Sequence, residues 1–282
     1  MESVLGQEYP RLEYLVLDGG STDGSRAIIE GHTSRLAYWA SEADRGQAHA
    51  VNKGWARARG EILGWLNSDD RLAPGALEQI ARTYQSHPQT ALIYGDIQEV
   101  DSLDRPVHRK HMAGFDVRAL LLGKNMGQPG VFITRRCYAG LGGLDETLHY
   151  ALDFEYFVRA WLTFSTAEMC YIESVLAYSR LWGGTKSVQA ASRFGEEYRL
   201  VLDRAFARAD LPPRVANLRR RAYSRAVEFR QARLHFESRR SADAWRWLLR
   251  AAGHEPQPVE KLRMLWFGAR YLLGLHVPPA KD

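Results

Sequence analysis

Short apolar runs alternate with segments of helical periodicity through much of this chain, and that alternation constrains the fold more than any other feature. The runs expected to form strands are Glu13–Leu17, Arg35–Ala40, Glu61–Leu66, Ala91–Gly95, Val131–Thr134 and Met169–Tyr178. The segments expected to be helical are Ser25–Glu30, Gly46–Ala58, Gly75–Tyr84 and Leu152–Leu162. Strands that alternate with helices of this length indicate an α/β layered fold with a mostly parallel sheet.

The last third of the chain has a different pattern. From about residue 190 no strand is evident, and Arg/Ala/Leu-rich stretches predict several helices. We therefore expect an α/β domain over residues 1–190 and a helical, arginine-rich region over residues 191–282. With 282 residues, 45% of them hydrophobic, the chain can bury the core that this arrangement requires.

Basic charge is concentrated in the helical region. Residues 193–250 hold 15 arginines, no lysine and 7 acidic residues, a net charge of +8. The other residues hold 23 basic and 26 acidic groups, a net charge of −3. This suggests an anionic partner, either membrane headgroups or nucleic acid. Arginines that face solvent or pair locally explain the same composition equally well.

Two further features bear on the compartment. No N-terminal stretch resembles a signal peptide, and no apolar run is long enough to span a bilayer. We therefore expect a cytoplasmic protein, either soluble or peripheral at the inner face of the membrane. Cys137 and Cys170 lack CxxC spacing, which favours reduced core residues over a disulfide or a metal site.

Two adjacent carboxylates follow one of the predicted strands. The apolar run that starts at Glu61 leads directly into Asn67, Ser68, Asp69 and Asp70. Open α/β sheets bind ligands beyond the carboxyl ends of their strands, and paired carboxylates there can hold a divalent cation against a polyphosphate. A surface turn rich in Asn, Ser and Asp is the alternative interpretation.

Two other loops carry ligand-binding chemistry. Asp18 ends the first predicted strand, where its carboxylate can accept a hydrogen bond from a nucleobase and the glycines after it allow close approach. Helix capping is the alternative role, and it fits Asp23 better. Arg45, beside a glycine at a predicted helix start, suits phosphate or sugar hydroxyls, whereas Asp44 is equally explained as a helix cap.

Five segments of this kind occur in one order. They are YLVLDGGSTDGS (14–25), ADRGQAHAVNKG (43–54), GEILGWLNSDD (60–70), GQPGVFITR (127–135) and ALDFEYFVR (151–159). Together they resemble the family 2 glycosyltransferases over residues 1 to about 190. The resemblance implies inverting enzymes with the GT-A fold, the Rossmann-like nucleotide-diphospho-sugar transferase architecture. That fold has a mixed sheet with helices on both faces, to which this chain adds a helical C-terminal extension.

The resemblance also implies roles for individual residues. Asp18, with Gly20 and Ser21 in its loop, contacts the base of the sugar donor, and Arg45 belongs to the same nucleotide-sugar site. Asp69 contacts the donor ribose, and Asp70 ligates the divalent cation, Mg²⁺ or Mn²⁺. The cation neutralises the diphosphate leaving group.

On the acceptor side, Asp153 corresponds to the general base that deprotonates the acceptor hydroxyl. Leu152 stands where many relatives have a further acidic residue, so Glu155 is a candidate substitute base. Stabilisation of a helix N-terminus is the competing role for Asp153. Gln128 resembles the acceptor-side segment, although a buried glutamine that satisfies backbone groups explains it equally well.

The chain departs from the family pattern at two places. Trp182 falls where relatives often carry a metal-ligating histidine, and tryptophan has no lone pair for a metal, although it can stack on a sugar or base. The chain also starts at Met1 inside the first helix of the pattern, which leaves the family's first strand unaccounted for. Either the gene start is mis-called or a core strand is absent. Loss of that strand would leave an unpaired position in the sheet and weaken nucleotide binding.

Two principal functions follow as expectations. The first is transfer of a sugar from a nucleotide donor, UDP-linked or similar, to a glycan or lipid-linked hydroxyl acceptor, in polysaccharide or lipid-linked glycan assembly at an anionic membrane face. The second is a catalytically degenerate GT-A protein that serves as a binding or scaffold module. Nucleic-acid binding is disfavoured, because the arginine-rich helices carry no recognisable nucleic-acid motif.

Overall fold

The computed structural model describes residues 1–181, 191–237 and 241–272. The strands are β1 (Leu15–Asp18), β2 (Tyr38–Ser41), β3 (Ile62–Leu63), β4 (Arg71–Leu72), β5 (Leu92–Val100), β6 (Pro106–Lys110), β7 (Val131–Thr134) and β8 (Met169–Arg180). The helices before residue 181 are α1 (Glu2–Leu5), α2 (Ser25–Gly31), α3 (Gln47–Arg57), α4 (Ala76–Ser86), α5 (Val117–Leu121), α6 (Arg135–Leu141) and α7 (Leu152–Thr163).

The helices after residue 190 follow in chain order. They are α8 (Ala191–Phe206), α9 (Pro213–Ala216), α10 (Arg219–Ala222), α11 (Arg230–Glu237), α12 (Ser241–His254) and α13 (Pro258–Leu272), with a π-helical segment (Tyr223–Phe229) between α10 and α11. Single 3-10 turns lie at Thr33–Arg35, Gln128–Gly130 and Thr166–Glu168. The helical character predicted for the C-terminal third is therefore confirmed for its described residues.

The chain forms two compact units. The first contains Met1–Gly114 and Met126–Arg180, and the second contains Phe115–Asn125 together with the described residues from Leu181 onward. No sequence pattern predicted that Phe115–Asn125 groups with the C-terminal helices. Its Gly123 has a φ of +90°, and a Cβ atom there would lie 3.1 Å from the Cα atom of Ala226 in the π-helical segment.

The larger sheet of the first unit is mixed. Its strand order is β3-β7-β5-β8-β4, and β6 pairs with β5 beyond this path. Only the β5–β8 pair is parallel among the pairs of this sheet in the described residues; β3–β7, β4–β8, β5–β6 and β5–β7 are antiparallel. The expectation of a mostly parallel sheet is therefore wrong here, because the β5–β6 hairpin and the returning β7 replace helical crossovers.

Helices cover both faces of this sheet. Ile93 of β5 belongs to a core cluster with Ala76 and Ile80 of α4 and Val4 of α1. The next residue, Tyr94, contacts the ring of Trp161 in α7 at 6.3 Å between centroids. Since successive strand residues point to opposite faces, α4 and α7 pack on opposite sides of β5. This is the mixed sheet with helices on both faces that the resemblance implies.

A second, smaller sheet consists of β1 and β2 alone. They pair in parallel, with Leu15 opposite Tyr38 and Asp18 opposite Ser41. All four residues of β1 are half-buried. Both strands end at their carboxyl edge in polar residues, and the short β1–β2 sheet therefore presents Asp18 and Ser41 side by side.

The second unit has its own core. Ala232, Phe236, Ala244, Leu248, Ala251 and Met264 form it, drawn from α11, α12 and α13. The carboxylate of Glu255 is fully buried and pairs with Arg221 and Arg225. Local pairing therefore accounts for part of the arginine content of this region. Cys137 and Cys170, both in the first unit, are free thiols; Cys137 is buried as expected, and Cys170 is half-buried.

Candidate functional site

The ends of β1 and β2 form the first part of the site. The Oδ2 atom of Asp18 accepts hydrogen bonds from the Ser41 hydroxyl at 2.6 Å and from the backbone N–H groups of Ser21 and Gly20 at 3.0 and 3.2 Å. Bonds from the hydroxyls of Ser21 and Ser41 lower the pKa of Asp18. The predicted residues Asp18, Gly20 and Ser21 thus form one loop, organised around an ionised carboxylate.

The N-terminus of α3 lies against this loop. A Cβ atom at Gly19 would come within 2.8 Å of the Asp44 carboxylate, so the two loops are in close contact. Asp44 accepts a hydrogen bond from the N–H of Gly46 at 2.8 Å, which shapes the turn before α3. Gly46 is the N-cap residue and no side chain in the described residues caps α3, so the helix-cap role left open for Asp44 is not seen. The Arg45 side chain is 71% exposed and pairs with Glu146 at 2.6 Å. Arg45 is thus held beside the helix N-terminus, where anions are favoured.

Asn67 connects three predicted motifs. Its Oδ1 atom accepts a hydrogen bond from Nε2 of Gln47, the first residue of α3, at 2.6 Å. Its Nδ2 atom donates to Asp70 Oδ2 and to Gln128 Oε1, both at 3.2 Å. Gln128 is buried and donates to the Trp65 carbonyl at 2.6 Å. Of the two roles left open for Gln128, this geometry matches the buried glutamine that satisfies a backbone group.

Asp69 and Asp70 lie between two strands rather than at a strand end. Strand β3 stops at Leu63, and Asp70 immediately precedes β4, so the expected position directly after a strand is wrong. Antiparallel pairing of β4 with β8 brings Asp70 to the end of β8, where its Oδ1 atom accepts a hydrogen bond from the N–H of Arg180 at 3.1 Å. Burial, followed by the charge of Asp69, raises the pKa of Asp70 to about 6.

This donor set fits a hard divalent cation. Asp70 is only 9% exposed and carries a carboxylate whose ionised form is disfavoured by burial, so a bound cation would stabilise it. No group of three or more His, Cys, Asp or Glu side chains suited to a metal occurs in the described part of the chain. Mg²⁺ and similar ions are commonly held by one or two carboxylates with phosphate and water as further ligands. Asp69 and Asp70 meet that requirement.

Arg180 is a site residue that the sequence analysis did not single out. Besides its N–H bond to Asp70, its guanidinium donates to the Ser102 carbonyl at 3.0 Å and pairs with Asp104 at 2.8 Å. Ser102 and Asp104 lie in the turn between β5 and β6. Arg180 therefore ties the acidic pair to this turn. Trp182, which the sequence analysis placed on the acceptor side, lies outside the described residues. The glycine-containing loop after it also lies outside them.

Asp153 and Glu155 have different environments in the first turn of α7. Asp153 is half-buried, and its Oδ1 atom accepts a hydrogen bond from the N–H of Phe154 at 2.7 Å. Glu155 is buried and receives two hydrogen bonds from Arg159, at 2.5 and 2.8 Å. Arg159 also donates to the carbonyls of Leu141 and Gly143. Both carboxylate oxygens of Glu155 are thus engaged in an ion pair with Arg159.

An aromatic cluster fixes α3, α7 and the segment before Asn67 relative to one another. The Trp55 ring of α3 makes edge contacts with Trp65 at 5.2 Å and with Tyr156 at 5.4 Å between centroids. Trp65 stacks on Phe157, one turn after Asp153, at 6.3 Å. In addition, a Cβ atom at Gly46 would lie 3.3 Å from the His149 ring. The helix start at Gly46 and the acidic pair are therefore joined to the helix that carries Asp153.

We expect Glu155→Gln to destabilise the protein by about 3 kcal/mol, because it leaves the Arg159 guanidinium without its charge partner in a largely buried setting. Glu78→Gln is the matched control, since Glu78 and Arg82 form an exposed pair with the same i,i+4 spacing. The control should change stability by less than about 0.5 kcal/mol. Urea unfolding of both variants measures the difference; unchanged stability with lost turnover would instead make Glu155 a catalytic group.

Known proteins with similar sequences are glycosyltransferases or are named for O-antigen biosynthesis. The model of glycosyl transferase family 2 matches residues 1–141. The uncharacterised glycosyltransferase Rv1514c of Mycobacterium tuberculosis is 33% identical over 168 residues, which are 57% of this chain and 62% of that protein. The O-antigen biosynthesis protein RfbC of Myxococcus xanthus is 29% identical over 188 residues, 64% of this chain and 14% of that protein.

Two solved structures share the fold. S. aureus TarS (residues 1–349) in complex with UDP-GlcNAc has a TM-score of 0.64 at 17% identity and covers 90% of this chain and 76% of its own. The mannosyltransferase PcManGT from Pyrobaculum calidifontis, in complex with GDP-Man and Mn²⁺, has a TM-score of 0.62 at 18% identity and covers 98% and 76%. This chain spans 62% of the length of the first curated relatives that it matches.

Proposed function

The chain belongs to glycosyl transferase family 2, and on that premise we propose that it transfers a sugar from a nucleotide-diphosphate donor to a hydroxyl acceptor with inversion at the anomeric carbon. The observation that carries the proposal is the hydrogen-bond network of Asn67. The Asn67 amide accepts a hydrogen bond from Gln47 at the start of α3 and donates to the buried carboxylate of Asp70 and to Gln128. We assign this chemistry to the first unit.

We propose that the β1–β2 edge and the α3 N-terminus bind the donor nucleotide. The Asp18 loop offers an ionised carboxylate and exposed backbone for the base. Gly20 and Ser21 belong to the same loop, and their backbone N–H groups donate to the Asp18 carboxylate. Arg45 supplies positive charge for phosphate oxygens or sugar hydroxyls. TarS and PcManGT are described as complexes with UDP-GlcNAc and with GDP-Man, which supports a nucleotide-sugar donor without selecting the base.

We propose that Asp70 would hold Mg²⁺ or Mn²⁺ near the donor diphosphate. Asp69, the neighbouring residue, would contact the donor ribose. When bound, the cation offsets the negative charge that accumulates on the leaving diphosphate. The buried, raised-pKa carboxylate of Asp70 supports this assignment, as does the Mn²⁺ in the PcManGT complex. Asn67 and the N–H of Arg180 orient the Asp70 oxygens.

Asp153 is the proposed general base. Its carboxylate takes the proton of the acceptor hydroxyl as that oxygen forms a bond to the anomeric carbon and the bond from this carbon to the diphosphate oxygen breaks. A single-displacement reaction needs one such base and no covalent intermediate. The ion pair of Glu155 with Arg159 supports Asp153 over Glu155 for this role.

The acceptor is proposed to be a glycan or a lipid-linked sugar, in cell-surface polysaccharide or lipid-linked glycan assembly. The name of the RfbC relative supports the polysaccharide setting. We further propose a cytoplasmic protein in peripheral contact with anionic membrane. Separately, none of the helices in residues 1–181, 191–237 and 241–272 has the length and apolar composition of a membrane-spanning segment.

Calorimetry with UDP, in the presence and absence of Mn²⁺, tests the donor site. We expect metal-dependent UDP binding by the wild-type protein, weakened tenfold or more in Asp70→Ala, since even outer-shell residues of metal sites are worth about 10–100-fold. Asp70→Asn, which keeps the shape of the side chain, should show the same loss, and a thermal melt checks the fold of both variants.

Glu78→Ala, which changes an exposed carboxylate of α4, serves as the control and should bind UDP as the wild type does. UDP affinity that is equal in the wild type and both Asp70 variants would remove the metal role of Asp70. An absence of nucleotide binding in the folded wild-type protein would favour the scaffold function instead.

A further inference from the structure

Helix α13 presents an apolar stripe to solvent. Val259, Leu262 and Trp266 are 63%, 66% and 57% exposed, and their spacings of three and four residues place them on one face of the helix. The opposite side of α13 is packed: Met264 is buried, and a Cβ atom at Gly268 would come within 2.3 Å of Leu248. Isolated exposed apolar side chains are ordinary on protein surfaces, but an aligned stripe indicates an interaction surface.

Basic side chains accompany the stripe. Arg263, next to Leu262 in the sequence, is 71% exposed and pairs with Glu260. Glu260 also pairs with Arg225, so the Glu260 carboxylate keeps a cationic partner when Arg263 turns to another anion. Residues 241–272 hold five basic and three acidic residues. The preceding helix α12 repeats the combination, with Leu249 59% exposed and the arginines Arg246 and Arg250 within one turn of it.

The chemistry of this surface matches an anionic lipid interface. Tryptophan is favoured at the level of lipid headgroups, and arginine can place its charge among phosphates while its stem covers apolar surface. One side of α13 packs against α12, where Met264 shares a core with Leu248 and a Cβ atom at Gly268 would meet the Leu248 side chain. Only the exposed stripe can therefore enter a bilayer, and the helix would lie in the interface. Three side chains also fall well short of the ~800 Å² per partner that a stable protein interface buries.

We propose that Val259, Leu262 and Trp266 of α13 dock the protein on an anionic membrane surface, with Arg263 paired to lipid phosphates. The stripe enters the boundary between headgroups and acyl chains, as an amphipathic interfacial helix does. This inference rests on the membrane contact included in the proposed function and names the surface that makes it. It is independent of the transfer chemistry.

Co-sedimentation of the full chain with vesicles tests the proposal. We expect the wild-type protein to bind phosphatidylcholine vesicles that contain phosphatidylglycerol and to bind pure phosphatidylcholine vesicles at least about tenfold more weakly, with salt reducing the difference. The double variant Leu262→Ser/Trp266→Ser should lower partitioning onto the anionic vesicles tenfold or more. Ile28→Ser/Leu103→Ser, which removes two equally exposed apolar side chains of the first unit, should bind as the wild type does.

Three results would overturn the proposal: equal binding to both vesicle types, equal binding by both double variants, or no vesicle binding by the wild type. A fourth contrary result would come from sedimentation velocity without lipid. If the wild type self-associates and the Leu262→Ser/Trp266→Ser variant does not, the stripe is a contact between copies of the chain. Circular dichroism checks the fold of each variant. UDP calorimetry in the absence of lipid should be unaffected, so failure of the docking surface is distinguishable from failure of the donor site.

Discussion

Asp153→Asn should lower kcat by about 10²–10⁴-fold, the usual contribution of a positioned general base. Asparagine keeps an oxygen that can accept the hydrogen bond from the N–H of Phe154, so the local contact at the start of α7 is retained while the basic group is lost. Stability and UDP affinity should therefore stay close to those of the wild type. The assay is release of UDP or GDP from UDP-GlcNAc or GDP-mannose, the donors bound in the two solved neighbours.

Glu155→Gln provides the matched comparison for this experiment. It also neutralises a carboxylate in the first turn of α7, but at a side chain that is bound to Arg159. Its turnover per folded molecule should equal that of the wild type even though its stability falls. If Asp153→Asn retained full turnover and instead lost stability, Asp153 would be a helix-terminal stabiliser, the other role that its position allows.

The sequence predicted the elements whose signals are local. The helix expected over Gly46–Ala58 occurs at Gln47–Arg57, and the strand expected over Val131–Thr134 occurs at those residues. In each case apolar spacing and flanking glycines specify the element within a few residues. The strand expected over Glu61–Leu66 is instead two residues long, because only Ile62 and Leu63 find partners on β7. Pairing depends on residues about 70 positions away, which a local pattern cannot reveal.

The candidate site divides in the same way. Asp18 and Asp70 were identified because carboxylates that follow apolar runs are conspicuous in a sequence. Gln47, Asn67 and Arg180 were not assigned roles, because their importance comes from groups that are distant in the sequence. Asn67 donates to Gln128, the backbone N–H of Arg180 donates to Asp70, and the Arg180 guanidinium donates to a backbone carbonyl of the β5–β6 turn. Polar residues of this kind are common in loops, so only tertiary structure distinguishes a network member from a solvated neighbour.

The aromatic cluster around Trp55 shows the same limit and has the largest expected effect on stability. Trp55 lies in the predicted helix that became α3, but its partners come from three separate segments. They are Trp65 before the acidic pair, Tyr138 in α6 and Tyr156 in α7. Trp55 is 3% exposed, so its side chain fills a space that those rings cannot close on their own.

Trp55→Ala should therefore destabilise the first unit by about 3–5 kcal/mol, the range for removing a large aromatic side chain from a core. Trp55→Phe, which keeps an aromatic ring at the centre of the cluster, should lose considerably less. Leu103→Ala, at a side chain that is 67% exposed, is the control and should change stability by less than about 0.5 kcal/mol. Urea unfolding followed by circular dichroism measures all three.

The same variants test whether the cluster also positions the donor site. Trp55 anchors α3, whose first residue, Gln47, donates to Asn67, and Asn67 in turn donates to Asp70. We therefore expect UDP affinity in the folded fraction of Trp55→Ala to fall, with a smaller decrease in Trp55→Phe and none in Leu103→Ala. Lost stability with unchanged UDP affinity would mean that Asn67 and Asp70 keep their geometry without the α3 anchor, and that the network depends on Gln128 and Arg180 alone.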